Sequence, residues 1–348
     1  MSTKETLSTP GQADISERLK TVWQFVLRFQ SYFGLIVIFI VAATISPVRD
    51  GRSIFLDPRN LFNVVRFASE NGIIAIGMTL VILTAGIDLS VGAVLALCAV
   101  GAASVMVHHG FGTVETIFFV LALGSLAGFI NGFVTTKFKI QSFITTLAML
   151  SIARGIATLW ADGYAIPLAF GEGEGIAPRS FKQLFAGDIA LLGINVPVQV
   201  FYFLGVGLLT AFLIRRTGFG RHIYAVGGNE TAARLSGVNI NRVRIIVFVI
   251  AGMLSGLAAL LHAALVNQGS PIDGNGFELN AIAAVVIGGT SLMGGSGTII
   301  GSMIGAIILS ILDNILGLLN IQSEYQAILK GIIIVLAVMI QQRQKRAQ

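Results

Sequence analysis

Few residues in this chain could do chemistry, and most of them are embedded in apolar sequence. Asp88 and Ser90 fall within LTAGIDLSVGAVLAL at 83–97, framed by Gly86 and Gly92. A carboxylate and a hydroxyl at this spacing can cap the start of a helix where water reaches poorly. They can equally line the inner end of a solute path, and both readings stand. Arg154 is the one charge within residues 140–161, where a guanidinium needs a partner or a wet cavity. It lies about 20 Å along a helix beginning near residue 141. Asn71, Asn131, Asn280 and Asn314 are uncharged hydrogen-bonders, suited to a hydroxylated solute or to neighbouring helices. Asp313 stands beside Asn314, while Arg66 and Glu70, at i,i+4, are expected to pair with each other. Gly294 and Gly295 interrupt AIAAVVIGGTSLMGGSGTIIGSMIGAI at 281–307. Irregular backbone inside such a run lines a cavity or is covered by protein, which marks a translocation route. Gly297, Gly301 and Gly305 form a small-xxx-small ridge for close helix packing.

Other chemistries are absent. There is no G-x-x-x-x-G-K-[ST] phosphate loop, nucleophile elbow or His-Glu-x-x-His. No paired intramembrane acids suggest an enzyme or a proton-driven pump. The single cysteine, Cys98, rules out an intrachain disulfide and reads as a packing residue. The four histidines lack metal-ligand spacing, and His108–His109 beside Gly110 reads as a loop. No catalytic residue, metal or cofactor is expected.

The elements that position these residues are membrane spans. Of 348 residues, 55% are hydrophobic and 11% charged, with a mean hydropathy of +0.84. Soluble domains carry about 25% charged residues. The expectation is an all-α polytopic membrane protein. Charges punctuate ten apolar runs: 29–48, 71–87, 89–107, 116–136, 140–161, 189–214, 245–268, two within 279–312 divided by GGTSLMGGSG, and 325–342. A re-entrant pair at 279–297 would leave eight crossings and the same parity. Residues 1–31 form a soluble tail, with a short amphipathic helix suggested by Ile15, Leu19 and Val22. The transmembrane unit is 32–342, followed by a tail at 343–348. Residues 162–196, mixed in charge and rich in Gly and Pro, form an external loop. Basic sequence at 137–139, 215–244 and 343–346 falls on one side, the cytoplasmic side, with both termini. The net charge of +6 thus serves topology and does not suggest nucleic acid. Ten spans divide into five plus five, which suggests inverted halves.

The island at 215–244 holds six arginines and one acid, Glu230. Its centre predicts a short helix. Asn229 is a good N-cap, Glu230 suits the positive helix end, and Gly237 supplies the left-handed residue that stops it. Two turns are unstable alone in water. Such an element packs on its own loop or docks into a partner.

Four ordered stretches carry a family resemblance: GMTLVILTAGIDLSVGAVLAL at 77–97, FITTLAMLSIARGIA at 143–157, GRHIYAVGGNETAARLSGVNI at 220–240 and AIAAVVIGGTSLMGGSGTIIG at 281–301. Together, across about 32–340, the chain resembles the membrane permeases of ribose-type ATP-binding-cassette importers, which carry monosaccharides and are related to branched-chain amino acid permeases. The resemblance implies ten spans in a bacterial cytoplasmic membrane and a second permease copy, most simply a homodimer. It also implies a cytoplasmic ATPase subunit and an external or periplasmic sugar-binding protein. By that resemblance the 229–237 helix is a coupling helix, with Gly228, Asn229, Glu230, Arg234, Leu235 and Gly237 at the ATPase contact. Asn71, Asp88, Ser90, Asn131, Arg154, Asn280, Gly294, Gly295 and Asn314 would line the path. One departure is Ala85, where many relatives have a second glycine. The competing readings are a secondary transporter or channel working alone, and a membrane-embedded enzyme or assembly subunit.

Overall fold

The computed structural model describes residues 30–191 and 193–346. The amphipathic segment expected around Ile15, Leu19 and Val22 lies outside the described residues. The chain is mainly helical. In order, the elements are α1 (Gln30–Ile45), the β1–β2 hairpin (Val48–Arg49, Arg52–Ser53), α2 (Pro58–Leu83), α3 (Val91–His109), α4 (Thr113–Lys137) and α5 (Ser142–Trp160). A loop region then holds β3 (Ile166–Pro167), β4 (Phe170–Gly171), β5 (Ala177–Pro178), α6 (Arg179–Ala186), β6 (Asp188–Leu191) and β7 (Ile194–Pro197). The second half contains α7 (Val198–Arg216), α8 (Gly218–Gly228), α9 (Glu230–Leu235), α10 (Ile240–Val266), β8 (Gln268–Gly269), α11 (Phe277–Ile287), α12 (Ile299–Leu318) and α13 (Ser323–Arg346).

Among the described residues, seven helices (α2, α3, α4, α5, α7, α10 and α12) are long and apolar enough to cross a membrane, while α1 and α11 are shorter. The molecule is therefore a polytopic all-α protein. α3 is the buried axis, with every residue from Val91 to Met106 enclosed. Around it, α4 and α10 approach to backbone contact. Gly124 and Gly128 face the carbonyls of Gly252 and Phe248, and Gly132 faces Ile245. In lipid, helices associate through such close packing, because lipid tails are as apolar as leucine. Cys98 is buried in α3, as a packing residue should be.

Several expected boundaries are corrected. The second span begins at Pro58 rather than residue 71, with Asp57 as N-cap accepting from the Arg59 N–H at 2.8 Å. Arg66 and Glu70 do not end the helix, because each has a partner elsewhere. Arg66 pairs with Asp188 at 2.9 Å and Glu70 with His262 at 2.9 Å, so the expected Arg66–Glu70 pair does not form. The sixth span begins at Val198, since β6 and β7 pair antiparallel ahead of it, with Leu191 opposite Ile194 and Gly193 at φ 81°. An apolar run alone could not separate that hairpin from helix. His108 and His109 end α3, and the loop begins at Gly110 (φ 66°).

The largest correction concerns the eighth span. α11 has 11 residues, about 16 Å at 1.5 Å per residue, too short to cross. The chain before it runs on in irregular form. Gly269 lies against the Ala99 carbonyl and Gly274 against that of Gly92, so 269–274 descends antiparallel to α3 for about two turns. α11 starts there and runs to the glycine turn at 288–298. The ridge expected at 297, 301 and 305 is partly present: Gly301 and Gly305 seat α12 on the Gly288 and Ala284 carbonyls, while Gly297 belongs to the turn and meets Thr290.

Candidate functional site

Two polar regions stand out, one at the basic end of the bundle and one at the break before α11. At the basic end, α9 forms as its sequence dictates. The Asn229 side chain accepts from the Ala232 N–H at 2.9 Å. Gly237 (φ 82°) stops the helix, and the Val238 N–H closes onto the Ala233 carbonyl at 3.0 Å. Glu230 holds α9 in place with two 2.8 Å ion pairs, to Arg234 one turn on and to Arg244 at the start of α10. Burial works against the charge of this carboxylate, but the Arg244 and Arg234 guanidiniums outweigh it and hold its pKa below the ordinary glutamate value. Leu235, at the end of α9, is 84% exposed.

The island also contains α8, which the sequence reading did not separate. α8 touches both glycine-rich turns. Gly227 packs on the Leu83 carbonyl, and that carbonyl also accepts from the Gly295 N–H at 3.0 Å. Gly228 lies against Gly295, and the Tyr224 hydroxyl donates to the Gly297 carbonyl at 2.8 Å. Gly294 (φ 83°) and Gly295 (φ 70°) need glycine both for conformation and because Ala85 and Gly228 leave no room for a side chain. Ala85 itself sits at φ 59°, the left-handed region that costs a side chain about 1–2 kcal/mol. A cavity of about 620 Å³ opens between α9 and the 84–87 turn, lined by Lys139, Glu230, Arg234 and Arg244 among others. The basic turn at 137–139 therefore shares an end with the island.

The Asp88–Ser90 pair is corrected in detail. Ser90, not Asp88, is the N-cap of α3, and its side chain makes no capping bond. Instead Asp88 Oδ1 accepts from the Ser90 N–H (2.8 Å) and hydroxyl (2.6 Å), and Asn131 Nδ2 donates to that hydroxyl at 2.9 Å. All three are buried. The turn is further held by α5: Ser142 and Thr146 hydroxyls accept from the Ile87 and Leu89 N–H groups at 3.0 and 3.1 Å. Asp88, Ser90 and Asn131 thus build the turn and do not line either polar cavity. The roles of Ser142 and Thr146 went unread because a hydroxyl near a helix start gives no signal of its long-range partner.

The second region surrounds the irregular segment before α11. Arg154 finds its partner in backbone: Nη1 donates to the carbonyls of Pro271 and, at 2.7 Å, Asp273. On the other side, His262 Nδ1 lies 2.9 Å from Glu70 Oε2 and its Nε2 lies 3.6 Å from Asp273 Oδ1. The irregular segment is thus clamped between α5 and α10. Its start is held from the loop region between α5 and α7, since β3 pairs with β8 and Lys182 of α6 donates to the Ala264 carbonyl and Asn267 Oδ1, each at 2.6 Å.

Beside this clamp a cavity of about 290 Å³ opens between α2, α11 and α12, and Asn71, Asn280 and Asn314 all line it. Sequence spacing had no means to bring these three together. Asn314 exchanges both amide bonds with Asn60, at 3.0 and 2.8 Å, and Asn280 Oδ1 lies 3.5 Å from Lys330, which itself pairs with Asp313 at 2.9 Å. Asn71 Oδ1 and Glu70 Oε1 are buried without a partner. Of the residues singled out for the path, Arg154 holds the break, three asparagines share this cavity, and Gly294 and Gly295 lie in the turn between α11 and α12.

Comparison with known proteins agrees with this architecture. The family described as branched-chain amino acid transport system / permease component matches residues 60–338. The chain is 40% identical to the ribose import permease protein RbsC of Escherichia coli over 324 residues, covering 92% of this chain and 95% of that protein. It is 38% identical to the xylose transport system permease protein XylH of Haemophilus influenzae over 371 residues, 92% and 98% of the two. It is 34% identical to the L-arabinose ABC transporter permease protein AraH of Azospirillum brasilense over 355 residues, 100% and 98% of the two. No solved structure matches. The chain belongs to the permease-component family of branched-chain amino acid transport systems.

Proposed function

We propose that this chain is the permease subunit of an ATP-driven importer for a monosaccharide such as ribose. In this reading it crosses a bacterial cytoplasmic membrane ten times, counting the broken crossing as one, with both termini cytoplasmic. A second copy completes the path, and a cytoplasmic ATPase subunit drives it. The sugar arrives on a binding protein docked at the 162–196 loop region, which reaches the broken crossing through β3 and β8. The observation that carries the reading is the α8–α9 element. It presents the exposed Leu235 to a partner, while its other side rests on both glycine-rich turns. A partner that moves α9 moves α8 and thus the inner ends of α2 and the 288–298 turn. Energy can enter here although the chain has no phosphate loop.

The alternative, a secondary transporter or channel working alone, draws on the buried Glu70–His262–Asp273 cluster, a grouping suited to proton coupling. One reconstitution separates the two. Vesicles carrying the permease, its ATPase and its binding protein are expected to accumulate labelled ribose only with ATP inside. Movement of sugar by the purified chain down its own gradient would overturn the importer reading.

A further inference from the structure

The cavity beside the broken crossing is not accounted for by packing. Two buried acceptors without a donor, Glu70 Oε1 and Asn71 Oδ1, belong to residues that line it. Glu70 is 2% exposed, and its other oxygen is taken by His262. A buried acceptor left unpaired costs roughly 1–3 kcal/mol, so these two oxygens fit a ligand that brings hydrogen-bond donors. Asn280 adds an amide from the first turn of α11, and the Phe67 and Phe277 rings provide apolar walls. At about 290 Å³ the space lies at the small end of ligand sites, fitting one sugar ring and not two.

We infer that this cavity is a transient monosaccharide subsite on the import route, in which sugar hydroxyls donate to Glu70 Oε1 and Asn71 Oδ1 and pair with the Asn280 amide. The inference rests on the importer reading above and names where in this chain the solute pauses. An amino acid is the poorer occupant. Its ammonium could meet Glu70, but its carboxylate would need a cation, and the nearby Lys330 is held by Asp313. The subsite is also wired to the break. Glu70 meets the solute with one oxygen and His262 with the other, and His262 reaches Asp273 on the irregular segment. Filling the site therefore bears on the segment that must shift if the crossing is to open.

The test uses cysteine protection in the assembled complex. The chain's single cysteine, Cys98, is buried, so Phe67→Cys, at a 60% exposed rim position, places one reactive thiol at the cavity mouth. Maleimide labelling is followed while D-ribose, D-xylose or L-leucine is titrated. The expected result is saturable slowing by a sugar, about tenfold at about ten times its dissociation constant, and none by leucine. Adding Asn71→Ala, which removes an oxygen that has no protein partner to lose, should raise the sugar concentration required about tenfold. Labelling that ignores every sugar in a complex that imports ribose overturns the subsite and leaves the importer reading intact. A complex that imports no sugar with ATP overturns both. Protection by leucine alone overturns the sugar assignment.

Discussion

The two polar regions of this molecule are built in opposite ways. The α9 element is local. Its cap, its stop and one of its ion pairs lie within nine residues, Asn229 to Gly237, and the second ion pair comes from Arg244 further along the chain. The region before α11 is assembled from afar: Glu70 on α2, Arg154 on α5, His262 on α10 and Asp273 in the irregular segment converge from four places in the sequence. The local element is exposed and ready to be gripped, and the assembled one is enclosed and ready to hold something. In the importer proposed above, force would enter through the local element as a handle and the solute would pass beside the assembled one.

Damage to the assembled region should cost most. Arg154→Ala removes a charged donor from the Pro271 and Asp273 carbonyls. Bonds to charged groups are worth about 1.5–3 kcal/mol each, and the orphaned carbonyls add desolvation. The expected outcome is a loss of about 3 kcal/mol, seen as a lower thermal midpoint in detergent and new protease cleavage within 270–276. An unchanged midpoint would show that the clamp is idle. In the local element, Glu230→Lys sets three cations together. ATP hydrolysis in the complex should continue while transport falls at least about tenfold, with the thermal midpoint nearly unchanged because the site is exposed. Normal coupling in this variant would end the handle interpretation. The wild-type tie has a pH sign as well. Because the Glu230 pKa is lowered, its stabilising contribution is complete above the ordinary glutamate value and is lost as pH falls through the lower folded one. Cleavage by an acid protease near α9 should therefore rise only in that acidic window.

The same contrast decides what could be read from sequence. α9 was legible to the residue because capping chemistry is short-range: Asn229, Glu230 and Gly237 each act on backbone within a few positions. The glycine-rich division at 288–297 was legible and separates α11 from α12, whereas the irregular segment at 270–276, where Pro271 and Gly274 stand beside polar residues, carried no reading of its own. The Glu70–His262–Asp273 cluster was invisible. Glu70 had an arginine at i−4 that local rules favour, but Arg66 turns to Asp188 on a hairpin that itself looked like helix. Tertiary partners override an i,i+4 pair worth only about 0.2–0.5 kcal/mol. The α4–α10 glycine ridge was missed for a related reason, since small residues at a spacing of four show a packing face without naming the helix it meets.

Two smaller effects sharpen the comparison from the side of the local element. Leu235→Ala should leave the permease's own stability unchanged, because the side chain is exposed, while weakening ATPase binding by about 1–2 kcal/mol if the leucine is buried at the contact. A titration of detergent-solubilised permease with the ATPase subunit reads this directly. The smallest change falls where the handle meets the path. Ala85 adopts φ 59° between Thr84 and Gly86, with its backbone against Gly294. A side chain there costs about 1–2 kcal/mol relative to glycine, offset in part by the freedom glycine adds to the unfolded chain, about 0.4–1 kcal/mol. Ala85→Gly should therefore raise stability by about 0.5 kcal/mol, a shift of a degree or two in the midpoint for a chain of this size. Its effect on rate discriminates more sharply. If the 84–90 turn changes conformation as α8 moves, freeing this position lowers the barrier and transport quickens. If the turn is a fixed anchor, the variant gains stability at an unaltered rate, and motion must enter through the 288–298 turn instead.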